Sequence, residues 1–149
     1  MTEILAEQTC TPCRGGIPPL TNDEALRYLE QAPDWTLSDD AGQIERKFWF
    51  SNFREALDFA HDVGELAETE QHHPDVAFGW GYATISLRTK KIKGLHQNDF
   101  IMAVKIDRLA CRHGALENQK RPQPSPASAA TGGTKTSNDS HRSASADHR

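Results

Sequence analysis

Between residues 18 and 113 the apolar positions switch repeatedly between helical and strand spacing. After the linker Gly15-Gly16-Ile17-Pro18-Pro19, Thr21 and Glu24 stand in the order of a capping box. Ala25, Leu26 and Leu29 follow at helical intervals, predicting a short first helix that Pro33 stops. Trp35-Thr36-Leu37 leads to a turn at Asp39-Asp40-Ala41-Gly42, and the next run alternates Ile44, Phe48 and Phe50 against Glu45, Lys47 and Trp49. The two runs predict a β-hairpin.

A long helix capped by Ser51 or Asn52 comes next, with Phe53, Ala56, Leu57, Ala60, Val63, Gly64 and Ala67 as one apolar stripe. Asp58, Asp62, Glu65 and Glu68 occupy its other face, and Pro74 requires an end by His72 or His73. Val76-Ala77-Phe78 and Tyr82 to Thr89 are strand-like, the latter alternating Ala83, Ile85 and Leu87 against Tyr82, Thr84, Ser86 and Arg88. Gly94 breaks the chain, and a last helix starts near His96-Gln97-Asn98-Asp99 with Phe100, Ile101, Val104, Ile106 and Leu109 inward. The order α-β-β-α-β-β-α, with strands joined as hairpins, predicts an α+β two-layer sandwich: a four-stranded antiparallel sheet with three helices on one face. Such a sheet has exposed edges, and self-association through an edge or through helices is expected.

Composition limits this picture to one domain. The chain has 149 residues, 36% of them apolar, and a mean hydropathy of -0.69. From about Glu117 onward there is almost nothing to bury, so 114–149 is expected to be a disordered tail, 18–113 the folded domain and 1–17 an N-terminal arm. No run of 18 apolar residues suggests a membrane span, and the acidic N-terminus lacks a signal core, so a cytoplasmic setting is the expectation. A net charge of -4 argues against nucleic acid as a partner. The small cluster Lys90, Lys91 and Lys93 reads equally as a solvated strand end.

Cys10 and Cys13 have C-x-x-C spacing without a second pair or a histidine at zinc-finger distance, so a reduced arm packed on the domain is favoured over metal or redox chemistry. No metal is expected. Cys111, ending an apolar-periodic segment, is placed in the core or at its boundary. The candidate chemistry lies at Glu68-Thr69-Glu70-Gln71-His72-His73-Pro74. A helix C-terminus and a carboxylate one turn earlier both favour a protonated imidazole. One histidine could shuttle a proton while its neighbour holds a ligand by hydrogen bonding. Equally, His73 could merely cap the helix, with His72 on the surface.

From Pro18 to Leu109 the chain resembles the pterin-4α-carbinolamine dehydratases. The resemblance is carried by Glu68, His72, His73 and Pro74 as Glu-x-x-x-His-His-Pro, by Pro33-Asp34-Trp35, by Trp80, and by Lys91-Ile92-Lys93-Gly94-Leu95-His96-Gln97-Asn98-Asp99-Phe100. It implies dimers or tetramers and loss of water from a 4a-hydroxytetrahydropterin to give the quinonoid dihydropterin, with no metal or organic cofactor. His72 and His73 would be the catalytic pair, Glu68 and Asp99 supporting groups, and Trp35 and Trp80 would lie close to the pocket. At the end of the fourth strand, where the full family pattern has His or Trp, this chain has Lys90. An ammonium is a base near pH 7 only where burial favours the neutral amine, and its shape differs from an imidazole. With Lys90 as the departure, the chain resembles a non-catalytic branch of the family that acts as a Rubisco assembly factor in α-carboxysomes. That resemblance implies Rubisco subunits as partners and a carboxysome-associated setting. The alternative is an active dehydratase.

Overall fold

The structure is a computed structural model in which residues 4–11 and 15–116 are described. Cys13 and the chain from 117 onward lie outside the described residues. Helix α1 (Asn22–Leu29) opens on the complete capping box: the Thr21 hydroxyl accepts from the Glu24 amide and the Glu24 carboxylate accepts from the Thr21 amide. Strands β1 (Thr36–Leu37) and β2 (Ile44–Trp49) form the hairpin, followed by α2 (Phe53–Glu70), β3 (Asp75–Gly79), β4 (Tyr82–Leu87) and α3 (Gln97–Arg112). All strand pairs are antiparallel, in the order β1-β2-β4-β3. The α+β sandwich of three helices and a four-stranded sheet is thus the observed architecture.

The alternation in β2 and β4 behaves as patterned. Ile44, Phe48, Ala83, Ile85 and Leu87 are buried on one sheet face, and Phe50 is buried just past β2. On α2 the buried stripe is Ala56, Phe59, Val63 and Ala67. Ala56, Val63 and Ala67 are members of the expected stripe, but Phe59 joins them while Phe53 and Gly64 are exposed, a small rotation of the buried face. Phe59 decides this rotation: its ring packs at 5.0 Å from both Phe48 and Phe50, and no smaller residue on the helix offers comparable apolar area. Phe53 is therefore left at the rim, its ring tilted against Phe78 of β3 at 5.7 Å.

Two element ends are set by local turns, α2 within the bound that Pro74 imposes and β4 short of the expected Thr89. Helix α2 stops at Glu70 because Gln71 turns into the left-handed region (φ 56°) and its amide bonds back to Ala67. Strand β4 stops at Leu87, and the chain closes a 3-10 turn over Lys90–Ile92 bracketed by a Thr89–Gly94 bridge. Gly94 is required there, since a Cβ would lie 2.5 Å from Cβ of Pro19. Cys111 is exposed, on the solvent side of the last turn of α3, where Ala110 takes the core position. The placement of Cys111 in the core or at its boundary is therefore corrected.

Candidate functional site

The two histidines sit in the extended segment after Gln71, where neighbouring side chains point to opposite sides. His72 turns inward and is 5% exposed. Its Nε2 lies 2.6 Å from Oδ1 of Asp99, which is fully buried at the third position of α3. The other carboxylate oxygen of Asp99 accepts from the Thr89 hydroxyl at 2.8 Å and from the His96 amide at 3.0 Å. A carboxylate oxygen holding donors is an acceptor, so the His72 imidazole donates from Nε2. Thr89 is 3% exposed, so the ring, the carboxylate and the hydroxyl form one buried polar group whose members satisfy one another.

His73 turns outward, and its Nε2 pairs with the carboxylate of Glu68, five residues earlier on the last turn of α2. Both side chains are open to solvent, 58% for His73 and 70% for Glu68. They line one wall of a cleft of about 460 Å³ between α2 and β3, together with Ala60, Gly64, Pro74 and Val76. The small residues Ala60 and Gly64 keep the helix side of this cleft open, and nothing lies within 4 Å of where a Cβ on Gly64 would be.

The remaining candidates fall elsewhere. Lys90 is 71% exposed, and its Nζ lies 3.6 Å from Oδ1 of the equally exposed Asp75. Trp35 is buried but belongs to another group: its Nε1 donates to Asp107 at 2.9 Å, and its ring meets Phe48 edge-on at 6.1 Å. Asp107 is two helical turns beyond Asp99 along α3, roughly 12 Å at 1.5 Å per residue. Burial raises the Asp107 carboxyl above its ordinary value, against the opposing pull of Trp35 and Arg46. Trp80 stands 54% exposed in the β3–β4 turn.

Thr89 was not singled out from the sequence. Its signal is faint, a hydroxyl between a strand end and a lysine run, and only the bridge to Gly94 brings it under Asp99. Among the described residues no cluster of three or more His, Cys, Asp or Glu side chains is placed to hold a metal ion. No helix there is long and apolar enough to cross a membrane.

Comparison with known proteins places the chain in a family. Residues 18–109 match the family described as pterin 4 alpha carbinolamine dehydratase. A Cupriavidus pinatubonensis protein named "Putative pterin-4-alpha-carbinolamine dehydratase 1" is 62% identical over 110 residues, covering 74% of this chain and 95% of the relative. The crystal structure of a transcriptional coactivator/pterin dehydratase from Brucella melitensis is 28% identical, with a TM-score of 0.59 over 62% of this chain and 98% of that one. A solved pterin dehydratase-like protein, described as a RuBisCO assembly factor in the alpha-carboxysome, is 22% identical with a TM-score of 0.46, covering 52% of this chain and 89% of its own. That last likeness is too low to bear on function. The chain belongs to the pterin-4α-carbinolamine dehydratase family.

Proposed function

We propose that this member of the family dehydrates a 4a-hydroxytetrahydropterin, with His73 moving the proton, His72 anchoring the segment that carries it and Lys90 limiting the rate. The observation that carries this reading is the division of labour between the two imidazoles. His73, exposed on a cleft and paired with Glu68, can exchange protons with a bound molecule and with solvent. His72, buried on Asp99 and Thr89 on the other side of the segment, anchors the backbone from which His73 enters the cleft. In the reaction the C4a–O bond breaks, a proton goes to the departing hydroxyl to make water, and a ring nitrogen gives up a proton. A group that donates one proton and recovers another suits His73, with the Glu68 carboxylate stabilising the imidazolium between the steps. Asp99, Glu68, Trp35 and Trp80 remain the supporting residues of this proposal. Trp80 would reach a ligand only from the turn, and Trp35, buried on Asp107, would support the fold behind the site.

The test is stopped-flow dehydration of a 4a-hydroxytetrahydropterin. Wild type should exceed the buffer rate, His73→Ala should lose about 10²–10⁴-fold, and Lys90→His should gain. Wild-type turnover equal to buffer would sink the proposal. The relatives' names support the same activity.

A second reading is favoured by Lys90 itself: with no imidazole at the strand end and an exposed ammonium instead, the site could serve assembly of Rubisco rather than chemistry. Rubisco subunits would then be the partners, in or near a carboxysome, and co-expression should raise the yield of assembled Rubisco. Failure to do so would count against it. Either reading is compatible with a homodimer or tetramer. The outer edge of β3 has no strand partner among the described residues, and Val76 and Phe78 there are each 38% exposed.

A further inference from the structure

The segment 4–11 lies outside the matched family region, yet it docks on the two helix ends that build the His72–Asp99 pair. Leu5 is fully buried, and its amide donates to Oε1 of Gln31 at 3.0 Å. Gln97, the first residue of α3, donates from Nε2 to Oε1 of Gln8 at 2.7 Å. The Cys10 amide donates to Oε1 of Glu70, the last residue of α2, at 2.9 Å. The second oxygen of Glu70 accepts from Lys105 of α3 at 2.6 Å. Thr11 is held at both its peptide groups by one side chain: its amide donates to Oδ1 of Asn98 at 3.0 Å, and its carbonyl accepts from Nδ2 of Asn98 at 2.7 Å.

Asn98 is 1% exposed and immediately precedes Asp99. Burying a carboxamide is unfavourable unless its groups are paired, so this position commits the first turn of α3 to one rotation about its axis. Successive helical residues are separated by about 100°, so a modest rotation of that turn swings the Asp99 carboxylate off Nε2 of His72. On the other side, Glu70 is two residues from His72, so the Cys10 amide fixes the point from which the His-His segment departs.

We propose that the N-terminal arm is a clamp for the site, and that Asn98 is a positioning residue acting on the His72–Asp99 pair through the arm. The inference rests on reading His72 as a site imidazole. Simple adhesion of the arm would need no more than Leu5. The polar contacts instead converge on Glu70, Gln97 and Asn98, the residues flanking the pair.

The test is histidine ¹⁵N NMR on the full chain, comparing wild type, Asn98→Ala and the milder Gln8→Ala at temperatures where each remains folded by circular dichroism. The readout is solvent exchange of the His72 Nε2 proton. The Nε2 proton of His113, which pairs with Asp62 at 2.8 Å beyond the far end of α3, serves as the internal reference. Asn98→Ala should accelerate His72 exchange by roughly tenfold or more and Gln8→Ala by less, with His113 unchanged. Equal acceleration at both histidines, or a lower unfolding temperature with His72 exchange unaltered, would overturn the clamp and leave a structural strap. Should Asn98→Ala not fold, Gln8→Ala alone decides: a rise confined to His72 supports the proposal and no rise refutes it. An inactive wild type in the dehydration assay would count against the enzymatic reading alone, because this measurement uses no substrate.

Discussion

Replacing Asp99 separates its structural role from its chemical one. Its carboxylate holds three donors, His72 Nε2 at 2.6 Å, the Thr89 hydroxyl at 2.8 Å and the His96 amide at 3.0 Å, and it is fully buried. Asp99→Ala leaves all three without an acceptor. At about 1–3 kcal/mol for each unsatisfied buried group, with partial relief from water entering the space, the loss should be about 3–5 kcal/mol. Asp99→Asn keeps the shape. The amide oxygen can still accept from Thr89 and His96, but its NH₂ then faces Nε2 of His72. Two donors cannot bond, so His72 must move its proton to Nδ1 and accept instead. Charge-assisted bonds become neutral ones at roughly half the strength, for a loss of about 1–2 kcal/mol. Urea unfolding followed by tryptophan fluorescence reports the stability, Trp35 being buried, and ¹⁵N shifts of the imidazole report the tautomer. The asparagine variant should therefore be nearly native in stability, inverted in tautomer and impaired in turnover. An alanine variant losing less than about 1 kcal/mol, or an asparagine variant retaining the Nε2 proton, would refute the reasoning.

Three further outcomes follow from the same contacts. Burial pushes the Glu70 carboxyl up, but the hydrogen bonds from Lys105 and the Cys10 amide outweigh it and hold the group below its ordinary 4.5. A depressed carboxylate stabilises the fold above its unfolded value, so stability should fall as pH drops below about 4.5, and Glu70→Gln should flatten that part of a urea-midpoint-versus-pH curve. The Cys10 thiol is pushed up to about 12 by burial and by the neighbouring Glu70, so alkylation at pH 8 should be at least roughly 100-fold slower than for a free thiol. Residue-resolved mass spectrometry checks this, and rapid labelling of Cys10 would contradict the docked arm. Gln71→Gly should stabilise by about 1 kcal/mol in thermal unfolding, since a left-handed φ of 56° costs an L-residue what glycine does not bear, less the lost Gln71 side-chain bond to the Glu68 carbonyl.

How far each feature could be read from the chain depends on how local its cause is. The Thr21–Glu24 box, the β2 and β4 alternation and the start of α3 at His96 depend on residues within a few positions, and all three stand in the structure. The rotation of α2 does not. Ala56, Val63 and Ala67 were in the expected stripe, but Phe53 and Gly64 fit its period as well as Phe59 does, and only the waiting Phe48 and Phe50 rings decide between them. The stop at Glu70 lies within the bound that Pro74 sets, but the left-handed turn that makes it falls on Gln71, which carries no glycine signal.

At the site, Asp99 was expected only from the family resemblance, and the spacing of Glu68 and His73 across a helix end was legible. Thr89, Asn98 and the arm were not, since their contacts span 10, 87 and 89 positions and leave no periodic trace. Lys90 shows what this difference costs. In sequence it stands one residue from the buried Thr89 and invites a place in the same group. The 3-10 turn at Lys90–Ile92 instead carries it outward, to an exposed pairing with Asp75. A histidine at 90 would leave the backbone from the same point, but its ring is shorter than the lysine stem and planar. It would stay near the strand end instead of reaching across to Asp75. The lysine thus removes an imidazole and also adds an ion pair that draws the side chain away. Lys90→His should accordingly restore rate by itself, with Asp75→Asn adding nothing further, because the side chain that Asp75 holds here is the lysine. A further gain in the double variant would show that Asp75 acts on the histidine as well.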